Sequence, residues 1–499
     1  MMEERTIRPH PLWRRWGLAA WSLLSALAVL LICSKSSPLY PMNDWVDVQC
    51  FFTVGRGILQ GKMPYLDLYE QKGPVLYLLF ALAALISRES FLGVFLLEVL
   101  SLGAFVYLSA RIAALWVRET SWLLFLLPPV LALTVGISPA FCHGGSVEQL
   151  FLPAMALFLK LGLTAIREDR PLKRGEAFLC GVLAGLALWV KYTFCGLFAG
   201  GALALAVWYA GTKKAKHIGS AALFGLLGAA AVTAPLLLWF RLRGALTALW
   251  QVYFVNNLTA YAAGTGARHA GPLAALGNNW MWSAFGALGC LWPLLQPKKQ
   301  WGEALLLILS ALTLGVFTYA NGRTYPYYAL ILAAFSGMGW TGVLLLVQGA
   351  AKKLPRRAVP VTAALGAVLL LGGSVLTAYR TSGNVYLMAY EKEDMPQYRF
   401  AGLIRQRADA SLLNLGFLDG GFYLAAGVEP ETRFFCTFNL SLREQDEDQR
   451  QALRAGTVDF VVVRGKQSPG KNYTPVDTCS FPFEGRNWTY TLYEKKPSA

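Results

Sequence analysis

The sequence predicts an α-helical polytopic membrane protein with a small α/β domain at its C-terminal end, on three observations. Of its 499 residues 55% are hydrophobic and only 15% are charged, too apolar a balance for a soluble chain of this length. The hydrophobic residues gather in runs long enough to cross a bilayer, and short segments between them hold most of the Lys and Arg. From about residue 380 that pattern stops, and a polar tail with turn, helix and strand signals follows.

Taken in order, the basic N-terminal segment MMEERTIRPHPLWRRW precedes an apolar run at 16–36 without a small-residue cleavage site, which predicts an uncleaved first span. A long acidic and aromatic loop, 37–90, comes next and contains a shorter apolar run at 75–87. Further runs of spanning length lie at 91–116, 121–137, 149–166, 176–193, 194–210, 218–240, 279–297, 302–319, 327–347 and 358–379, giving about 11 transmembrane helices. The tail carries the turn GFLDGG, the helical LREQDEDQRQALRAG and the strand-like VDFVVVRG and WTYTLYE, which together predict a small α/β domain over 380–499.

Charge decides the topology. If the run 75–87 lies in the interface, the basic loops REDRPLKRG, GTKKAKH, QPKKQ and AAKKLPRR all share the cytoplasmic side with the N-terminus, and the tail is extracytoplasmic. If it spans, all four face outward. The same clustering explains the net charge of +16 without a nucleic-acid partner. The eight cysteines show no CxxC or metal spacing, and the four histidines are far apart, so no zinc or redox motif is visible. Cys436 and Cys479 both fall in the tail; a disulfide between them and a free pair both remain open.

This topology gathers the isolated charged and aromatic residues on one face. Asp44 and Asp47 stand three apart after the first span, so they share a helix face if that segment is helical, although either could simply cap the helix that follows. Glu70 and Lys72 precede Pro74 at the start of the interfacial run, and Lys72 could meet a lipid phosphate or snorkel to headgroups. The segment CHGGSVEQLFLP holds His143 and Glu148, and Gly144 and Gly145 allow close approach of the backbone to a ligand. Lys191, beside Tyr192, and Arg323, beside Tyr325, sit on the external side against the charge bias, as does Arg268; the three could form a phosphate-binding cluster. Glu98, alone in mid-helix, reads as a carboxyl bonded within the bundle. The tripeptides beginning at Asn439, Asn472 and Asn487 match the N-glycosylation pattern at chance frequency.

The loop has a recognisable order: Asp47, the pair Phe51 and Phe52, the run Gly61, Lys62, Pro64, Tyr65, Asp67, then Glu70 and Lys72-Gly73-Pro74. It resembles the first extracytoplasmic loop of bacterial membrane glycosyltransferases of the GT-C superfamily, those related to protein O-mannosyltransferases (family 39-like) and lipid A aminoarabinose transferases. Glu148, five residues before Pro153, resembles the second external acidic motif of the same group, with Gln149 and Val147 where many relatives carry a second acid and a Thr. The resemblance covers residues 10–200.

It implies a GT-C-like catalytic module over 1–379 and an extracytoplasmic domain over 380–499, in the bacterial plasma membrane. The implied activity is inverting transfer of a hexosyl or pentosyl unit from a polyprenyl-phosphate donor to a glycan, lipid or protein acceptor in the cell envelope. Asp47 would be the base, Glu148 would orient acceptor or donor, and Lys191 with Arg323 would hold the phosphate. A divalent cation is open, since Asp44, Asp47 and Glu148 could coordinate one, whereas mannosyl and aminoarabinosyl relatives work without it.

Other classes compete. A lipid-linked sugar transporter or flippase would show internal repeats and paired charges at mid-membrane depth, and neither is evident. A non-catalytic scaffold would have lost the acids. A polysaccharide ligase or polymerase would differ in using a lipid-diphosphate substrate.

Overall fold

In the computed structural model the chain is described over residues 12–117, 122–260, 271–296, 300–320, 322–355, 357–440, 442–483 and 485–497. Every apolar run predicted to span is helical: α1 (Leu12–Cys33), α4 (Leu92–Ala113), α5 (Leu127–Gly136), α6 (Val147–Arg167), α7 (Arg174–Val190), α8 (Cys195–Gly211), α9 (Ile218–Leu242), α10 (Trp280–Leu291), α11 (Trp301–Tyr319), α12 (Ser336–Ala351) and α13 (Ala358–Thr381). Among the described residues, 8 helices are long and apolar enough to cross a membrane. The other three predicted spans are shorter: Trp122–Gly136 and Trp280–Leu295, counted with their flanking turns, and Arg174–Val190.

The first loop holds two helices, α2 (Val46–Leu59) and α3 (Pro74–Ile86). Pro74 opens α3 at a position where its missing N–H costs nothing. With 13 residues, α3 extends only about 20 Å, short of the ~30 Å hydrocarbon core. Both its ends also meet the same end of the bundle. Gly73 N donates to Val190 O at the C-terminus of α7, while Ala83, near the other end, packs against Gly93 at the N-terminus of α4. A helix whose two ends touch one face of a bundle lies along that face.

That face is built by alternation. Asn384, just past α13, donates to Cys33 O at the end of α1 and to Cys142 O ahead of α6. Asn279, before α10, accepts from Ala140 N after α5, and Arg243, after α9, donates to Gly61 O in the first loop. The opposite face collects the basic loops, where Arg167 pairs with Glu303, Arg170 with Glu176 and Lys214 with Asp169.

Helix pairs inside the bundle approach through small residues, since lipid offers no hydrophobic drive between apolar helices. At the α7/α9 crossing a Cβ added to Gly181 would lie 1.9 Å from Gly225 O, and one added to Gly228 2.0 Å from Phe178 O. Only glycine permits backbones that close.

The tail forms one four-stranded sheet in the order β1-β2-β4-β3, from β1 (Leu412–Leu415), β2 (Phe460–Arg464), β3 (Tyr473–Phe483) and β4 (Arg486–Lys495). β1 and β2 are parallel and joined through a crossover that includes α15 (Arg443–Ala455), whereas β3 and β4 form an antiparallel hairpin. An earlier short helix, α14 (Pro396–Ile404), leads into β1. The tail is docked on the first loop: Thr53 Oγ1 donates to Asp419 at 2.6 Å, Arg56 pairs with Glu429 at 2.5 Å, and the Tyr69 ring stacks on Phe434 at 4.6 Å. One face of its sheet, with Leu412, Phe460 and Val462, joins the core of the bundle, while Leu413, Val461 and Val463 form a separate cluster with Ala452 and Leu453 of α15.

The disulfide left open between Cys436 and Cys479 is absent. Cys436 is fully buried beside Cys50 of α2, at 3.9 Å between sulfurs, while Cys479 is half-buried on β3.

Candidate active site

A cavity of about 550 Å³ opens where the first loop, the 325–327 segment and the tail meet. The membrane-side wall carries Asp47, Glu70, Lys72, His143, Tyr325 and Tyr327; the tail supplies Phe417, Thr437, Asn439 and Arg464. A second depression, about 670 Å³, lies on the charged outer face of α15 between Arg443 and Ala455 and shares no residue with this constellation.

Asp47 occupies the first turn of α2, where the positive end of the helix dipole favours a carboxylate. Its Oδ2 accepts a hydrogen bond from the Tyr327 hydroxyl at 3.0 Å. Tyr327 follows Pro326, and its ring packs edge-on to Trp45 and stacks with Tyr325. The aromatic cluster therefore aims the acid from the far side of the cavity.

Asp44 does not share that site. α2 begins only at Val46, and Asp44 turns back to pair with Lys35 at 2.7 Å, both side chains almost fully buried. The expected common helix face for Asp44 and Asp47 fails because the residues before Val46 are extended, held by Trp45 N and Gln49 Nε2 on Asn43.

Glu148 likewise stands behind the cavity. It lies in the first turn of α6, 1% exposed, with Oε1 accepting from Lys191 Nζ at 2.6 Å. Its partner is Lys191, and Glu148 is not part of the cavity wall, so it positions Lys191 from behind. The Lys191 ammonium rests over the Tyr328 ring at 3.7 Å and lines a small cleft with Gln71, Lys72, Tyr192 and Asn257. Burial pulls its pKa down and the positive charge of Lys72 adds to that, against the pull of Glu148 and Asp47, with a net lowering. Two cations thus share one cleft.

Lys72 joins this cleft to the main cavity, since it lines both. Its place is set by Glu70, which accepts from Lys72 N at 2.8 Å and from the Tyr77 hydroxyl, and by Tyr65, whose hydroxyl donates to Lys72 O at 2.6 Å. Tyr65 holds φ +70, uncommon for a bulky residue and the sort of strain that surrounding packing must enforce. Tyr192 N donates to the Tyr253 hydroxyl, and Tyr253 belongs to a π-helical turn, Trp250–Asn256, that folds back onto the loop. Asn257 follows it and donates to Gln71 O at 2.7 Å.

His143 lines the cavity beside Trp45, and burial, with Lys35 nearby, holds its imidazole well below the usual pKa and therefore neutral. Gly144 and Gly145, both at positive φ, serve packing instead of a ligand: a Cβ on Gly144 would lie 2.2 Å from Ser34 Oγ, and one on Gly145 2.7 Å from Val48. Glu98, fully buried, sits beneath this turn. Arg323 is also buried, donating to the Tyr325 hydroxyl at 3.4 Å, and is not part of the cavity wall; the basic residue that shares a cleft with Lys191 is Lys72. Arg268, the third member of the expected cluster, lies outside the described residues.

The carboxylates suggested for a divalent cation do not converge, because Asp44 is held by Lys35, Glu148 by Lys191 and Asp47 by Tyr327. No group of three His, Cys, Asp or Glu side chains able to hold a metal occurs among the described residues.

Sequence reasoning missed the tail's contribution. Arg464, at the end of β2, lies over the rings of Phe417 at 5.2 Å and Trp488 at 4.5 Å, and with Asn439 and Thr437 it lines the same cavity as Asp47. Nothing in the local pattern of VDFVVVRG marks it. Tyr327 was closer to hand, in an aromatic run next to Arg323.

A bundle of alternating spans, a first loop with two helices lying along one face and an α/β domain closing over that loop make up a membrane-protein fold shared with solved structures. Solved structures with this fold include ArnT from Cupriavidus metallidurans bound to undecaprenyl phosphate, at TM-score 0.62 and 15% identity over 95% of this chain and 98% of that one. The same ArnT in the apo state gives TM-score 0.59 and 15% identity over 96% and 98%. No protein-family model and no curated protein matches the sequence.

Proposed function

We propose that this chain is a membrane glycosyltransferase that moves a sugar from a polyprenyl-phosphate donor to an acceptor at the extracytoplasmic face of a bacterial plasma membrane. The observation that carries the reading is the placement of one carboxylate, Asp47, in the same cavity wall as Lys72, which shares the adjoining cleft with Lys191. A base and a paired cation site are what displacement of a phosphate by a hydroxyl requires. Undecaprenyl phosphate in the ArnT structure of the same fold supports a lipid-phosphate ligand. The basic loops on the opposite face support the orientation.

In this mechanism Tyr327 occupies Oδ2 of Asp47 and leaves Oδ1 to take the acceptor's proton. As the acceptor oxygen bonds to the anomeric carbon, the bond from that carbon to the phosphate oxygen breaks and configuration inverts. The departing polyprenyl phosphate gains negative charge, which Lys72 and Lys191 meet. Glu148 fixes Lys191 from behind, and the mutual repulsion of the two lysines is relieved when the anion binds. The tail wall, with Arg464, Asn439 and Thr437, is on the side where an acceptor's polar groups would lie.

The test is direct binding of undecaprenyl phosphate to the purified protein in nanodiscs, together with comparison of envelope glycans between wild-type and deletion strains. Binding with no glycan change would sink the transferase reading, and absence of binding would remove the lipid-phosphate donor.

A further inference from the structure

Cys50 and Cys436 are 386 positions apart, yet their sulfurs lie 3.9 Å from each other. Cys50 is 2% exposed and Cys436 fully buried. The first belongs to α2, one turn after Asp47 and in the wall of the same cavity; the second belongs to the tail segment that packs on α2. The contacts around them are fixed ones: Thr53 to Asp419 and Arg56 to Glu429 on α2, and Tyr69 on Phe434 beyond it. Two thiols held this close by independent packing are placed for side-chain rotation to bring the sulfurs toward the ~2.0 Å of a sulfur–sulfur bond.

We propose that Cys50 and Cys436 are a disulfide-forming pair that staples the tail domain to the helix bearing Asp47. The inference rests on the extracytoplasmic placement of this face, where oxidising conditions allow such bonds to persist. The two thiols lose two protons and two electrons as the sulfur–sulfur bond forms. The electron acceptor is a thiol–disulfide oxidant of the extracytoplasmic space: one Cys thiolate attacks its disulfide, and the second Cys thiolate resolves the mixed disulfide and releases the oxidant as a dithiol. Burial pushes both thiols up in pKa in the docked state, so exchange accompanies docking, when the packing brings the pair together and the oxidant still has access. The consequence is covalent closure of the segment between residues 50 and 436. It holds α2, and with it Asp47, against the tail wall carrying Arg464.

The experiment uses the full chain in native membranes, denatured directly into N-ethylmaleimide without reductant and digested for mass spectrometry. The expected result is a linked peptide pair containing Cys50 and Cys436, neither alkylated until reductant is added. In a variant with a protease site inserted within residues 382–394, cleavage should release the tail on denaturing gels only after reduction, and without reduction when Cys436→Ser is also present. Full alkylation of both thiols without reductant overturns the staple. Orientation is read separately by a membrane-impermeant maleimide on intact cells, with Ser468→Cys and Lys216→Cys each in a Cys479→Ser background. Labelling at Ser468→Cys with both native thiols free refutes the staple and leaves the orientation standing. Labelling at Lys216→Cys alone refutes both.

Discussion

Tyr327 donates a hydrogen bond to Oδ2 of Asp47 at 3.0 Å, joining two residues 280 positions apart across the mouth of the cavity. The candidate base is thereby aimed by a side chain from a different part of the bundle, and its reactivity depends on that aim as well as on its own chemistry.

Replacing Asp47 with Asn keeps the side chain's shape but removes its ability to take a proton. Transfer should fall by ~10² to 10⁴ with the protein still folded in the membrane. Tyr327→Phe deletes one hydrogen bond, worth about 1 kcal/mol, and should lower kcat about fivefold with KM little changed. Initial rates with a lipid-linked donor check both; Asp47→Asn activity within a fewfold of wild type would exclude Asp47 as the base.

Lys72→Gln and Lys191→Gln should each weaken undecaprenyl phosphate binding roughly tenfold to a hundredfold, as loss of a charge-assisted contact predicts. Lys216→Gln, on the basic opposite face, should change nothing. Because Glu148 is 1% exposed, removal of Lys191 strands a buried carboxylate, so Glu148→Gln added to Lys191→Gln should restore stability without restoring affinity. Equal affinities for Lys72→Gln, Lys191→Gln and Lys216→Gln, measured in nanodiscs, would take both lysines out of the site.

The Lys35–Asp44 pair, 2% and 3% exposed, is a buried ion pair outside the cavity wall. Breaking it from either side should cost about 3–5 kcal/mol, whereas replacing both partners with apolar residues should recover most of the loss. Thermal unfolding of Asp44→Leu, Lys35→Met and the double variant gives the comparison. Transfer per folded molecule should survive in the double variant; a loss above tenfold would return Asp44 to the chemistry.

Gly73 sits between Lys72 and α3, and a Cβ there would lie 2.0 Å from Trp189 O, a backbone atom that cannot swing aside. Gly73→Ala should destabilise by about 1–3 kcal/mol and weaken donor binding by displacing Lys72. Gly372→Ala, where nothing lies within 4 Å, is the control and should be neutral or slightly stabilising. Unchanged melting and affinity for Gly73→Ala would show that the loop can shift without harm to the site.

Much of this protein was legible in the sequence, for identifiable reasons. The spans at 16–36 through 358–379 are each marked by their own apolar length, and membrane insertion is a local energetic decision that length and charge largely settle. The interfacial position expected for 75–87 rests on four basic loops needing one side; in the structure Gly73 and Ala83 both meet one end of the bundle, so the helix lies along that end. The gathering of isolated acids, bases and aromatics in 37–90 and 138–148 was visible because such residues are costly near lipid.

Which of those residues face the cavity was decided only by tertiary packing. Asp44 and Asp47 are three apart, yet one is consumed by Lys35 and the other meets Tyr327. Glu148 is sealed by Lys191, 43 positions away, and Cys436 pairs spatially with Cys50 of the first loop, not with Cys479 of its own domain. Arg464 and Asn439 enter the wall solely because the tail docks on α2. A membrane span is fixed by the free energy of a contiguous stretch moving from water to lipid, which a sequence displays directly. A charge's partner is fixed by which distant segments pack together and by what each buried group must bond to, and those contacts exist only once the helices have assembled.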